Sequence, residues 1–261
     1  MNLNLKNIKN KNILFLQGPM GNFFKKKQLK LVKNNSVFRI GFNKGDEFYS
    51  LKDRFYPYRG TQKRWRFFIN TFLRNNNIKI IFLFGDCRFY HKIAIEEAKK
   101  MNVDTFVFEE GYIRPDYITL EKNGVNFYSD ITNNGSEIFN QIKDDNNQIF
   151  KPNINFSRKN TFLKMVLQSF LYYSISNIYN FQYPYYVHHR EFSVTKEIKY
   201  AILNIYRQIK NKFVEFNFKK VCNIKFKNKY YFVPLQTHND FQVKVHSKYD
   251  SIEEFIEEVL I

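Results

Sequence analysis

The sequence predicts an α/β fold: a Rossmann-like N-terminal domain with a parallel sheet, then connecting helices, then the start of a second α/β domain. Three observations carry this. Short apolar runs alternate with amphipathic stretches through the first half of the chain. Each run stops at a turn containing glycine or an acidic residue. The segment Ile78–Phe84 (IKIIFLF) is almost continuously apolar, as a strand buried on both faces of a parallel sheet must be.

Taken in order, Ile13–Gln17 reads as a strand ending in Gly18-Pro19-Met20-Gly21, and Phe23–Val32 as a basic, partly amphipathic helix. Val37–Phe42 alternates like a strand and ends at Asn43-Lys44-Gly45-Asp46. Lys63–Arg74 sets Trp65, Phe68, Ile69 and Phe72 on one helical face. Ile78–Phe84 stops at Gly85-Asp86, a helix follows from His91 to Met101, and Thr105–Phe108 is a further buried strand stopping at Glu109-Glu110-Gly111. In such a sheet, ligands bind beyond the carboxyl ends of the strands. The loops at Gly18, Gly45, Asp86 and Glu109 are therefore expected along one edge.

The expected domains are residues 1–130, a connecting region 131–228, and the start of a second domain at 229–261. Residues 130–160 are polar and read as a loop. Phe162–Tyr186 is apolar and aromatic, helical as far as Pro184, and suits either a core or a surface that meets lipid. Glu197–Phe218 reads as another helix and Tyr230–Gln236 as a strand. At the C-terminus, Ser251 and Glu254 form a capping box before a helix whose Ile252, Phe255, Ile256, Val259 and Leu260 share a face. One strand and one helix do not make a stable layer, so more of this second domain is expected beyond Ile261.

Composition narrows the function classes. Of 261 residues, 44% are hydrophobic and 19% aromatic, which excludes a disordered chain. The richness in Phe, Tyr, Lys, Asn and Ile is that of an AT-rich coding sequence, which also discounts the net charge of +18. A polyanion, an anionic surface or a nucleotide phosphate remains as a partner. The basic residues are scattered without a nucleic-acid reader motif, so no nucleic-acid partner is expected. Cys87 and Cys222 lie far apart without metal-ligand spacing, which fits a reducing compartment. The apolar run Ile13–Leu16 is too short for a secretion signal, and no stretch is long enough to span a bilayer.

Candidate site residues follow from the strand-end loops. Glu109, Glu110 and Asp116 cluster around Gly111 and Arg114. Adjacent carboxylates face different directions, so at most one of the glutamates enters a cleft; both can equally hold the loop through Arg114 and backbone amides. Asp86 either serves chemistry, orients Arg88 or caps the following helix. Gly18 and Gly21 form a tight turn for close substrate approach, though not a phosphate-binding loop motif. His91 reads as a packed or capping residue. His188, His189 and Arg190 make a cationic group, and His238 and Asn239 lie in a polar loop after a strand.

Several stretches resemble the KpsS/LipB family of capsule polysaccharide proteins. They are Leu14–Phe24 (LFLQGPMGNFF), Leu83–Ala98 (LFGDCRFYHKIAIEEA), Val107–Asn126 (VFEEGYIRPDYITLEKNGVN), His188–Glu191 (HHRE) and Val233–Ile256. The resemblance implies a two-domain, GT-B-like glycosyltransferase fold. It further implies transfer of β-linked Kdo from CMP-Kdo, the donor substrate, to a phosphatidylglycerol-type lipid at the inner face of a bacterial inner membrane, alongside other capsule assembly proteins. Relatives continue beyond this point with a histidine–proline motif, so this chain alone could instead be a non-catalytic accessory. Kdo transfer needs carboxylates for the oxocarbenium-like centre and the acceptor proton, and cationic groups for the departing phosphate. The catalytic candidates are Glu110, Glu109 and Asp86. The substrate-binding candidates are Gly18, Gly21, Arg88, Tyr112, Arg114, Asp116, His188, His189, His238 and Asn239. CMP leaves as a monophosphate, so neither a metal nor a cofactor is expected.

Overall fold

A computed structural model describes residues 7–111, 117–129, 158–188, 199–200, 202–204, 206–212, 214–215, 233–235, 243 and 247–260. The expected alternation is present from the first strand. β1 (Asn12–Phe15), β2 (Ser36–Gly41), β3 (Phe55–Pro57), β4 (Ile80–Phe84) and β5 (Asp104–Glu110) are mutually parallel, and β6 (Ile118–Lys122) runs antiparallel to β5. The order across the sheet is β3-β2-β1-β4-β5-β6, the arrangement of a Rossmann-like α/β fold. Register is fixed by apolar pairs such as Leu14 opposite Phe38 on one side and Ile81 on the other.

The helices α1 (Phe23–Leu31), α2 (Lys44–Phe48), α3 (Gln62–Asn75) and α4 (Phe89–Lys100) connect the strands. Because β1 and β4 are central, both their faces are covered. One core joins Leu14, Ile40, Ile81 and Val107 to Trp65 and Ile69 of α3 and Ala94 and Ala98 of α4. The other joins Ile13, Phe15, Phe82 and Phe108 to Phe24 and Leu31 of α1. Phe42, Trp65 and Tyr90 lock one corner through ring contacts, with Trp65 Nε1 donating to Tyr90 O at 2.9 Å. Helices α3 and α4 are tied at their surface by Arg66, which pairs with Glu96 and Glu97 at 2.6 Å each.

Both helices end in the same way. Asn77 and Asn102 take positive φ, and the next residue donates back five positions, Ile78 to Leu73 O and Val103 to Ala98 O. This is the Schellman geometry, with asparagine where glycine is commonest. Asn10, Asn123 and Asn126 also adopt positive φ.

Several expectations need adjustment. Glu109 and Glu110 belong to β5 rather than to the loop after it, because the antiparallel partner β6 extends the ladder to Glu110 opposite Ile118. The elements α2, β3 and β6 were not foreseen: the first two are only 5 and 3 residues long, too short for periodicity to register. The aromatic segment forms α5 (Arg158–Ile178), and the α-helix stops there, ahead of Pro184, giving way to a 3₁₀ turn at Asn180–Gln182. Tyr172 and Tyr183 are buried, whereas most other large apolar side chains described in this segment are exposed.

The chain divides into two compact units, Met1–Val187 and His188–Ile261. In the second, helical positions fall at 199–200, 202–204, 206–212 and 214–215. Val233–Leu235 are not strand, and the rest of the strand expected at 230–236 lies outside the described residues. The C-terminal helix, Ile252–Leu260, opens as foreseen with Glu254 N donating to Ser251 Oγ at 3.1 Å. Its Glu254 carboxylate returns to Asp250 N rather than to Ser251, one residue earlier than the capping box predicts.

Candidate functional site

The strand order fixes where a ligand can enter. From β1 the chain steps one way to β2 and β3, then crosses back to β4, β5 and β6 on the other side. The crossover loops therefore diverge at the carboxyl ends of β1 and β4, which is where sheets of this order form their binding crevice. Gln17 and Gly18 follow β1 on one bank; Gly85, Asp86, Cys87 and Arg88 follow β4 on the other.

Arg88 spans the crevice. Its Nη1 approaches Gln17 Oε1 at 3.4 Å, while its own backbone sits at the N-terminus of α4. Gly85 shows how the next strand contributes. It takes φ +71°, and a Cβ built on it would lie 3.5 Å from Glu109 Oε2 and 4.0 Å from Arg88 Nε. A carboxylate and a guanidinium thus flank one glycine, close enough for the Arg88 charge to act on Glu109 without an ion-pair contact. Glu109 Oε1 also accepts from Glu110 N at 3.0 Å. Burial pushes the Glu109 carboxyl up from the ordinary range, and the Glu110 amide and the Arg88 charge oppose that rise.

Beneath the crevice, His91 is fully buried, with Nδ1 2.7 Å from Gly85 O. A carbonyl only accepts, so Nδ1 carries the proton. Burial, helped by Arg88, lowers its pKa to about 3, and His91 is a neutral structural support for the Gly85 turn. Asp86 neither caps α4 nor stands open to solvent. Its Oδ2 accepts from Val125 N at 2.9 Å and its Oδ1 from the Cys87 thiol at 3.2 Å. The helix has no side-chain cap because the Asp86 carboxylate is directed at the turn after β6 instead. Burial and the Asp86 charge push the Cys87 thiol up to about 12, so it is a poor nucleophile.

The other bank rests on a buried polar network that the sequence did not disclose. Gln17 Nε2 lies 3.1 Å from Asp46 Oδ2, 3.2 Å from Tyr172 OH and 2.9 Å from Tyr186 OH. Asp46 is completely buried and also accepts from Phe42 N at 3.0 Å and Tyr172 OH at 3.1 Å. Burial raises its carboxyl, while the buried Arg39 and these donors hold it down. Asn43 caps α2 by accepting from Asp46 N at 2.9 Å and donates to Tyr172 OH at 2.7 Å. Helix α5 is thereby fastened beside the β1 bank. The available signals were a glutamine ending an apolar strand and an aspartate behind Asn43; neither names its partner 126 or more residues away.

The structure brings Gly18, Asp86, Arg88, Glu109 and Glu110 to the same sheet edge. Gly21 faces elsewhere: with φ +112°, it packs against Gln168 of α5. His188 is half-buried within the second unit. Tyr112, Arg114, Asp116, His189, His238 and Asn239 lie outside the described residues. Among the described residues, no three of His, Cys, Asp or Glu group as metal ligands.

Residues 79–261, which include Asp86, Arg88, Glu109 and Glu110, match the family model described as capsule polysaccharide biosynthesis protein. The chain belongs to that family. It is 31% identical over 252 residues to the capsule polysaccharide export protein KpsS of Escherichia coli, covering 96% of this chain and 63% of that protein. It is also 31% identical over 259 residues to the capsule polysaccharide modification protein LipB of Neisseria meningitidis serogroup A, covering 95% of this chain and 60% of the relative. The chain thus spans about three-fifths of the length of these curated capsule proteins. Within the capsule family, the resemblance read from the loop motifs and the fold expected from the strand pattern agree. No described helix is long and apolar enough to cross a membrane.

Proposed function

We propose that this chain forms the acceptor-side part of a GT-B-like glycosyltransferase, moving β-linked Kdo from CMP-Kdo to a phosphatidylglycerol-type lipid at the inner face of the inner membrane. The observation that carries the reading is that Glu109 and Arg88 both flank Gly85 at the carboxyl ends of the strands, beside the switch point between β1 and β4. A carboxylate whose proton affinity is raised by burial is suited to act as a base, and a guanidinium nearby is suited to a departing phosphate.

In this reading the acceptor hydroxyl oxygen bonds to the anomeric carbon of Kdo, and its proton passes to the Glu109 carboxylate. The bond from that carbon to the CMP phosphate oxygen breaks, and CMP keeps the electron pair, its charge met by Arg88. Gly18, on the facing bank, is buried with its open side against the Phe24 ring, so it serves packing and is given no substrate contact. No metal or cofactor is assigned a step, and the nucleotide-sugar donor and lipid acceptor are the partners, with other capsule assembly and export proteins beside them.

The test incubates the chain with CMP-Kdo and a fluorescent phosphatidylglycerol analogue, and seeks a mass gain of one Kdo. Product that disappears in Glu109→Gln supports the assignment. Folded chain without product, or product undiminished in that variant, overturns it for this chain. A second reading, a non-catalytic accessory of capsule export, draws on the similarity to the export protein KpsS and would then be preferred.

A further inference from the structure

Helix α5 has two unlike sides. Gln168, Tyr172 and Ser176, at i, i+4 and i+8, face the protein: Ser176 Oγ accepts from Gly45 N at 3.2 Å, and Gln168 O accepts from Tyr49 OH at 3.2 Å. Leu167, Phe170, Leu171 and Ile178 lie on the other side, with Phe170 62% and Ile178 66% exposed. Beyond the helix, Phe181 and Tyr185 are exposed as well. Scattered apolar side chains on a surface are ordinary, but this many large ones on one side of a helix, broken only by Ser174 and Asn177, mark a place of contact.

The charges around the stripe indicate what makes that contact. From Arg158 to Val187 the chain carries Arg158, Lys159 and Lys164, and no aspartate or glutamate. Lys164 is exposed at the head of the stripe, and Tyr179 and Tyr185 are exposed at its tail. Basic residues attract anionic headgroups, and tyrosines suit the depth where headgroups give way to acyl chains. No described helix is long and apolar enough to cross a bilayer, so α5 would meet lipid along its exposed side while its polar side stays on the protein. Through Tyr172 and Gln17, the same helix is fastened to the β1 bank of the crevice.

We propose that the outer side of α5, continued through Phe181 and Tyr185, seats this chain on an anionic lipid bilayer. The surface deepens the reading of a lipid acceptor, on which it rests for its purpose, because it holds the crevice bank close to the lipid. Binding itself needs neither donor nor chemistry, so the two ideas fail separately.

The test is co-sedimentation of the chain with vesicles of phosphatidylcholine alone or mixed with phosphatidylglycerol, at low and moderate salt. The chain is expected to bind the mixed vesicles and to bind less as salt rises. Leu167→Glu with Phe170→Glu replaces two exposed side chains, so the fold should survive, as an unchanged melting temperature would show. That variant is expected to lose about tenfold or more in vesicle binding, the two charges having to enter the apolar layer. Lys164→Glu should weaken binding to the mixed vesicles only. Failure of the chain to bind, or equal binding by the Leu167/Phe170 variant, overturns the proposal. So does a dimer in solution that this variant dissolves, which would assign the stripe to a second copy. Vesicle binding without Kdo transfer leaves this surface standing and counts against the reaction alone.

Discussion

Gln17 and Tyr172, 155 residues apart, meet in a buried hydrogen bond of 3.2 Å that joins the end of the first strand to α5. Around it, Asn43 and Asp46 complete a network in which the tyrosine hydroxyl has a donor and an acceptor. Removing that hydroxyl leaves Asp46 Oδ1 without its donor in a dry site.

Tyr172→Phe is therefore expected to lower the unfolding free energy by about 1–3 kcal/mol. Urea denaturation of both proteins would show it as an earlier midpoint with the same slope. No shift in midpoint would mean that the network contributes nothing to holding α5.

Glu109→Gln should raise stability at neutral pH while sharply lowering transfer. The folded carboxyl binds its proton more tightly than the unfolded one, because burial dominates. Stability then falls as pH climbs through the unfolded value, about 4.3, to the folded one, and stays lowered above it. Glutamine avoids that loss, so its advantage in a thermal melt should be present at pH 7 and vanish in acid below both values. Transfer should fall by roughly 10²-fold or more if this carboxylate takes the proton. Equal melting at pH 7 would contradict the burial argument.

His91 should make the protein acid-sensitive in the opposite sense. Its folded pKa of about 3 lies below the unfolded value, so the unfolded chain takes up the proton first as pH falls. The contribution is intact above about pH 6.5 and is lost towards pH 3, at up to ~1.4 kcal/mol per pH unit. Unfolding free energies measured from pH 7 to pH 4 should show a shallower slope in His91→Gln. An unchanged slope would mean that another group carries the acid sensitivity.

Arg88→Lys and Arg88→Ala separate charge from shape. Lysine keeps the charge but not the planar guanidinium that approaches Gln17 while lying beside Glu109. Turnover in the Kdo assay is expected to drop about tenfold in the lysine variant and about 10²-fold or more in alanine. Equal activity of all three would remove Arg88 from the reaction.

Much of this fold is legible in the sequence because the central strands obey the strongest available pattern. Ile80–Phe84 is apolar throughout since both its faces are covered, and its boundaries fall close to those expected. Edge elements follow weaker rules. β3 has 3 residues, and Ile118–Lys122 ends in charge, as suits a strand that is the last of the sheet among the described residues. At the site, the strand-end position predicts that Asp86, Arg88 and Glu109 share an edge, and they do. What Asp86 bonds to depends on a turn 39 residues later, and Gln17 on a helix 155 residues later. Those pairings are decided by tertiary packing, which no local spacing encodes.

The left-handed asparagines that close α3 and α4 bear on the other side of the folding equilibrium. Glycine would accept the same φ at less strain, but it would leave the unfolded chain freer at each position. Asn10, Asn77, Asn102, Asn123 and Asn126 carry a side chain that narrows the unfolded ensemble while still tolerating the turn. A coding bias towards asparagine thus supplies reversals of direction at a smaller loss of backbone entropy, in a chain with only 9 glycines.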